Sequence, residues 1–121
     1  MAGTSSPLTT DLPEGGRLTI SEVVLAEIAF AEAMRTPGVV TGREGILSGV
    51  LRRRRPRGIA VEASEGEVAF RISVGVREGV SIPETATTLR ERVAAAVTAK
   101  TGYRVRAVNV RVDHVRLDSD S

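Results

Sequence analysis

The chain has 121 residues, 41% of them apolar and 26% charged, with a formal net charge of +2. That suits one globular domain able to bury its own core. It holds no cysteine, one histidine, one tyrosine, two phenylalanines and no tryptophan. These counts exclude disulfide and thiolate chemistry and leave few stacking platforms for bases or sugars. No run of about 18 apolar residues occurs, which excludes a membrane-spanning helix.

Residues 1–15 are rich in Gly, Ser, Thr and Pro and read as a flexible N-terminal tail. They lack a basic segment followed by an apolar stretch, so no secretory signal and an intracellular location are expected. The ordered domain is expected over residues 16–116, with 117–121 a short acidic tail. A short strand is predicted at Arg17-Leu18-Thr19-Ile20. A first helix follows, with Thr19 and Glu22 at capping-box spacing and Ser21 as the alternative N-cap. It should end near Arg35, before Pro37 and Gly38. Val23, Phe30 and Met34 form one apolar arc of this helix, and Val24, Leu25 and Ile28 a second. Two arcs imply contact on two sides, unless Ala26, Ala29, Ala31 and Ala33 simply tolerate any surroundings.

Val39-Val40 reads as a short strand. Ile46-Leu47 and Val50-Leu51 suit one helical turn. Ile59, Val61 and Ala63 alternate with polar or small residues, as do Val68, Phe70, Ile72, Val74 and Val76. With Ser64-Glu65-Gly66 between them, these runs predict an antiparallel hairpin with one buried face. Ser81-Ile82-Pro83-Glu84 opens a second helix as a capping box. Ala86, Leu89, Val93, Ala96 and Val97 give it one apolar stripe, and Gly102 sits where a terminating glycine belongs. The last strand runs from Tyr103 to about His114. Its apolar phase shifts between Val105 and Val108-Val110-Val112, which predicts a bulge. The order strand-helix-strands-helix-strand predicts a two-layer α+β domain, with two helices packed on one face of a mostly antiparallel sheet.

No catalytic constellation stands out. His114 is the sole histidine, and a Ser73, His114, Asp113 set has no supporting spacing. Gly38-Val39-Val40-Thr41-Gly42 lacks the lysine of a phosphate-binding loop. No ligand spacing suggests a metal. A non-enzyme without cofactor, metal or small-molecule substrate is expected.

The sharpest chemical feature is Arg52-Arg53-Arg54-Arg55-Pro56-Arg57. From Arg43 to Arg57 there are six arginines and one glutamate. Such a run suits phosphates, anionic headgroups or an acidic protein segment. Arg52, Arg53, Arg54, Arg55 and Arg57 are the candidate anionic-partner site. Val23, Phe30 and Met34, with Ile46, Leu47, Val50 and Leu51 beside the run, are the candidate protein interface. Arg71, Arg104, Arg106 and Arg111 on outward strand positions resist edge pairing in part.

Several of these segments together resemble a known family. They are Gly16-Arg17-Leu18-Thr19-Ile20-Ser21-Glu22-Val23-Val24 leading into the Ala-rich helix, Pro37-Gly38-Val39-Val40, and Gly58-Ile59-Ala60-Val61-Glu62. The strongest stretch runs from Val80-Ser81-Ile82-Pro83-Glu84 through Thr101-Gly102-Tyr103-Arg104-Val105 to Val108-Asn109-Val110-Arg111-Val112. In order and spacing they resemble the alkaline shock protein 23 family of bacterial envelope stress response proteins, over most of residues 16–115. The resemblance implies a small intracellular α+β protein without known catalysis, linked to cell-envelope homeostasis and alkaline or general stress. It also implies self-assembly or association with a membrane-anchored partner of the same family. The chain departs from the family pattern around Gly45 to Arg57, where the usual longer Gly-rich and basic segment is compressed. The function expected is an oligomerising scaffold docked to a membrane-anchored partner at the inner face of the cell membrane. The alternative is a nucleic-acid-binding module that uses the arginine-rich segment.

Overall fold

A computed structural model describes residues 9–40 and 58–117, with the backbone alone at Thr10. The chain opens with a small hairpin, β1 (Thr9–Asp11) and β2 (Arg17–Thr19), held by the Thr9 to Thr19 hydroxyl contact and an exposed Asp11–Arg17 pair. Two sequence expectations change here. Within the segment read as a tail through residue 15, Thr9–Asp11 forms a strand, because it finds a partner in β2. The Arg17–Ile20 strand joins that hairpin and takes no place in the main sheet.

Helix α1 (Glu22–Arg35) is capped by Ser21, whose hydroxyl accepts from the Val24 amide at 3.3 Å. Ser21 is the capping residue rather than Thr19, which is still paired in β2. After β3 (Val39–Val40), the chain continues as β4 (Ile59–Ser64) and β5 (Glu67–Arg77). Glu65 and Gly66 form the tight turn between β4 and β5, both at positive φ (47° and 81°). Two left-handed residues in a two-residue loop match the twist of the strands they join, and glycine takes the second at no steric cost. Helix α2 (Ile82–Thr101) starts at Ser81, which accepts from the Glu84 amide. It stops at Gly102, whose amide bonds to the Thr98 carbonyl. Strand β6 (Arg104–Arg116) closes the fold.

β5 is the central strand. β6 runs parallel to it along its whole length, so β3 and β4, both antiparallel to β5, share its other edge. Most pairings are antiparallel, as expected, but the longest ladder is the parallel one, and α2 is its crossover. Val40 lies opposite Gly75, and the Ser73 amide donates to the Gly58 carbonyl at 2.7 Å. β3 and β4 thus lie end to end along this edge, with Val40 and Gly58 both beside Ser73–Gly75. Gly58 is required there, because it has φ +83° and a Cβ would meet the Ser73 carbonyl oxygen at 3.0 Å.

The core lies between the helices and one face of the sheet. Register places Val68, Phe70, Ile72 and Val74 of β5 beside Val105, Val108, Val110 and Val112 of β6, with Ile59, Val61 and Ala63 of β4 on the other side. Over them lie Leu25, Ala26, Ala29 and Ala33 of α1 and Leu89, Val93 and Val97 of α2. The expected bulge is present. Register slips between Val68 and Ala69 leave Arg106 extra, and a second slip between Val74 and Gly75 leaves Asp113 extra. Each slip turns the following β6 residues over by one, which is how Val105, Val108–Val112 and Val115 all keep to one side.

Candidate interaction surfaces

The first surface is α1. Of its two apolar arcs, neither is simply outward. Leu25 is buried, Val24 is exposed, and Ile28, Val23 and Phe30 are half-buried, with Ile28 and Phe30 packed on the core. Met34 is exposed. Phe30 is therefore largely spent on the core, and the interface expected at Val23, Phe30 and Met34 retains Met34 as its exposed member. The alanines are not fillers, since Ala26, Ala29 and Ala33 are among the most buried residues. A small side chain lets a helix backbone lie close to its neighbours. An open groove of about 240 Å³ runs beside Val24, Ile28 and Ala31, flanked by Glu27, Arg35 and Lys100. Glu32 ties this edge together, holding Arg35 at 3.0 Å and Arg92 of α2 at 3.6 Å.

The second surface is the open face of the sheet, the side turned away from both helices. Its first half is charge-paired. Arg106, the extra residue of the first bulge, reaches Glu62 at 3.8 Å and Glu67 at 3.9 Å, and Arg104 reaches Glu67 at 3.6 Å. The second half is not. Register sets Arg71 beside Asn109, Ser73 beside Arg111, Gly75 beside His114 and Arg77 beside Arg116. All four arginines are exposed and none has a carboxylate partner among the described residues. The His114 ring lies directly on Gly75, where a Cβ would collide with it. Its Nδ1 meets Asp113 Oδ1 at 2.9 Å. This His–Asp pair lacks a nucleophile, since Ser73 sits beside Arg111 and makes no hydrogen bond to His114 among the described residues. Arg77 and Arg116 were not singled out from sequence. Their signal is the strand alternation, but only the parallel register brings the two strands' arginines into one patch.

The candidate residues Arg52, Arg53, Arg54, Arg55, Arg57, Ile46, Leu47, Val50 and Leu51 lie outside the described residues. The ends of that segment are nonetheless placed, at Val40 and Gly58. No group of three or more metal-ligating side chains occurs among the described residues, and no helix among them is long and apolar enough to cross a membrane.

A model of the alkaline shock protein 23 family, described by a cell envelope-related function, matches residues 11–117. The chain belongs to the alkaline shock protein 23 family. The match takes in both helices, the four-stranded sheet and β2. No curated protein and no solved structure matches the sequence at a significant level. The alkaline shock protein 23 assignment thus gives the class of process, the cell envelope, and leaves the surfaces to supply the chemistry.

Proposed function

We propose that this family member is a non-catalytic scaffold of cell-envelope homeostasis, which oligomerises and docks to a membrane-anchored partner of the same family at the cytoplasmic side. The family match over residues 11–117 carries the reading. Supporting it are the exposed apolar side chains Val24 and Met34 on α1, next to an open groove. Apolar surface rimmed by charge is the composition of a protein contact. The arginine run Arg52–Arg55 with Arg57 supplies the electrostatic part of recruitment in this reading.

The test is affinity capture of the tagged chain from the membrane fraction of native cells, with and without nuclease, alongside its mass in solution. The expected result is one membrane-anchored protein retained under both conditions, and a mass that is a multiple of 12.8 kDa. Replacing Arg52–Arg55 and Arg57 by Ala should abolish capture and leave thermal stability nearly unchanged. A monomer whose co-purified material is all removed by nuclease would overturn the scaffold reading in favour of nucleic-acid binding.

A further inference from the structure

We propose that the open face of the sheet, around Arg71, Arg77, Arg111 and Arg116, is itself a docking surface for anionic phospholipid headgroups. This goes beyond capture by a protein partner and rests on the envelope reading only for the choice of lipid as the anion's source.

The charge balance of the face is the first argument. Its Arg106 end is neutralised by Glu62 and Glu67, while the four arginines of the other end have no carboxylate partner among the described residues. The one carboxylate on that half, Asp113, is engaged by His114. Glu78 at the rim already has an interaction of its own. Arg77 and Arg116 stand directly opposite each other across the ladder. Like charges so placed repel, and a bound anion relieves that repulsion.

The shape of the site decides which anion. Arg71 to Arg77 spans about 20 Å along the strand, and β6 lies about 4.8 Å away, so the four arginines are spread along the ladder rather than gathered at one point. The grooves of about 240 Å³ beside α1 and 380 Å³ at the start of α2 are lined by helix residues and do not extend onto this face. A single-stranded nucleic acid finds no Phe, Tyr or Trp to stack on here, because Phe70 and Tyr103 are buried and Phe30 lies half-buried on α1. An extended surface of phosphate headgroups suits arginines spread this way, since each is exposed and can reach its own lipid.

The experiment is co-sedimentation of the purified full chain with vesicles of about 30% phosphatidylglycerol in phosphatidylcholine, and of phosphatidylcholine alone, at low and high salt. It is run in the native sequence and in a background with Arg52–Arg55 and Arg57 changed to Gln, which removes the other basic segment. In both, the Arg71→Gln/Arg111→Gln pair should lower vesicle partition about twenty-five-fold, at roughly fivefold per arginine. The Arg104→Gln/Arg106→Gln pair removes the same formal charge from the neutralised half and should lower it less than threefold, given screening over about 10 Å. A short DNA duplex at equal phosphate concentration should not compete. Equal losses from the two pairs would overturn the site, as would binding that vanishes wholly in the Arg52–Arg57 background. Effective competition by DNA would reassign the face to nucleic acid. If lipid binding fails while capture of a membrane-anchored protein persists, this inference alone falls.

Discussion

On the helix side of the β5–β6 ladder, Phe70 and Val108 meet beneath α1 and α2. One residue further along, on the open side, Arg71 and Asn109 meet with no described element above them. The same two strands, with the same register, therefore run a packed core on one side and a cationic surface on the other. The difference shows what a period-two side-chain pattern achieves, since a single ladder can pack an apolar core on one side and present charge on the other. It also predicts that substitutions on the two sides will have very different thermodynamic weights.

The largest expected effect lies on the packed side. Phe70→Ala should cost about 3–5 kcal/mol in urea unfolding, because Phe70 is 1% exposed and sits at the centre of the cluster. Next comes the helix layer above it. Ala29→Leu should cost about 1–3 kcal/mol despite the good helix propensity of leucine, since Ala29 is fully buried and the extra volume has nowhere to go. A neutral result would mean that the alanines of α1 only tolerate their surroundings.

The open side carries smaller effects. Gly75→Ala should push the His114 ring off β5 at a cost of about 1 kcal/mol, the low end for overpacking because an imidazole can swing away. In the Gly75→Ala/His114→Ala double variant most of that cost should disappear, and a thermodynamic cycle reads the coupling directly. Additive single effects would show that the ring does not depend on the missing Cβ. Smallest is the contrast within the face itself. Arg106→Gln should cost about 0.5 kcal/mol, the worth of an exposed ion pair, whereas Arg71→Gln should stay within about 0.5 kcal/mol of zero in either direction. A larger loss from Arg71→Gln would mean that its guanidinium supports the fold, which would weaken its assignment as a binding group.

Much of this architecture was legible because local rules and global structure agree. Ser81 and Gly102 bracket α2 as their capping chemistry requires. The Val105 to Val108 phase break marked a bulge that the ladder contains. The Glu65-Gly66 turn follows from the conformations that a two-residue hairpin loop demands. Reading α1 by its hydrophobic arcs was less successful. Its burial is led by Leu25 and three alanines, and alanine carries too little apolar weight to declare its side from periodicity. The N-terminal hairpin was missed for a similar reason, since three-residue strands rich in Thr look like any polar tail. Of the candidate sites, the arginine run was visible as a block of like charge. Arg71 and Arg111 were read as outward strand positions, but not as one site with Arg77 and Arg116, because they are scattered singly through two strands separated by a 20-residue helix.

Local chemistry was enough to specify the two helices and the apolar sides of β4, β5 and β6, because capping, turn conformation and period-two alternation are local properties. The order and spacing of its segments also pointed to the family. Only the tertiary structure decided the neighbours. It placed β6 parallel to β5 through α2, joined β3 and β4 along one edge, and set Arg71, Arg77, Arg111 and Arg116 on one surface. The physical reason is that register between distant strands is fixed by the fit of a shared core, and no residue's local preference records which strand it will lie beside.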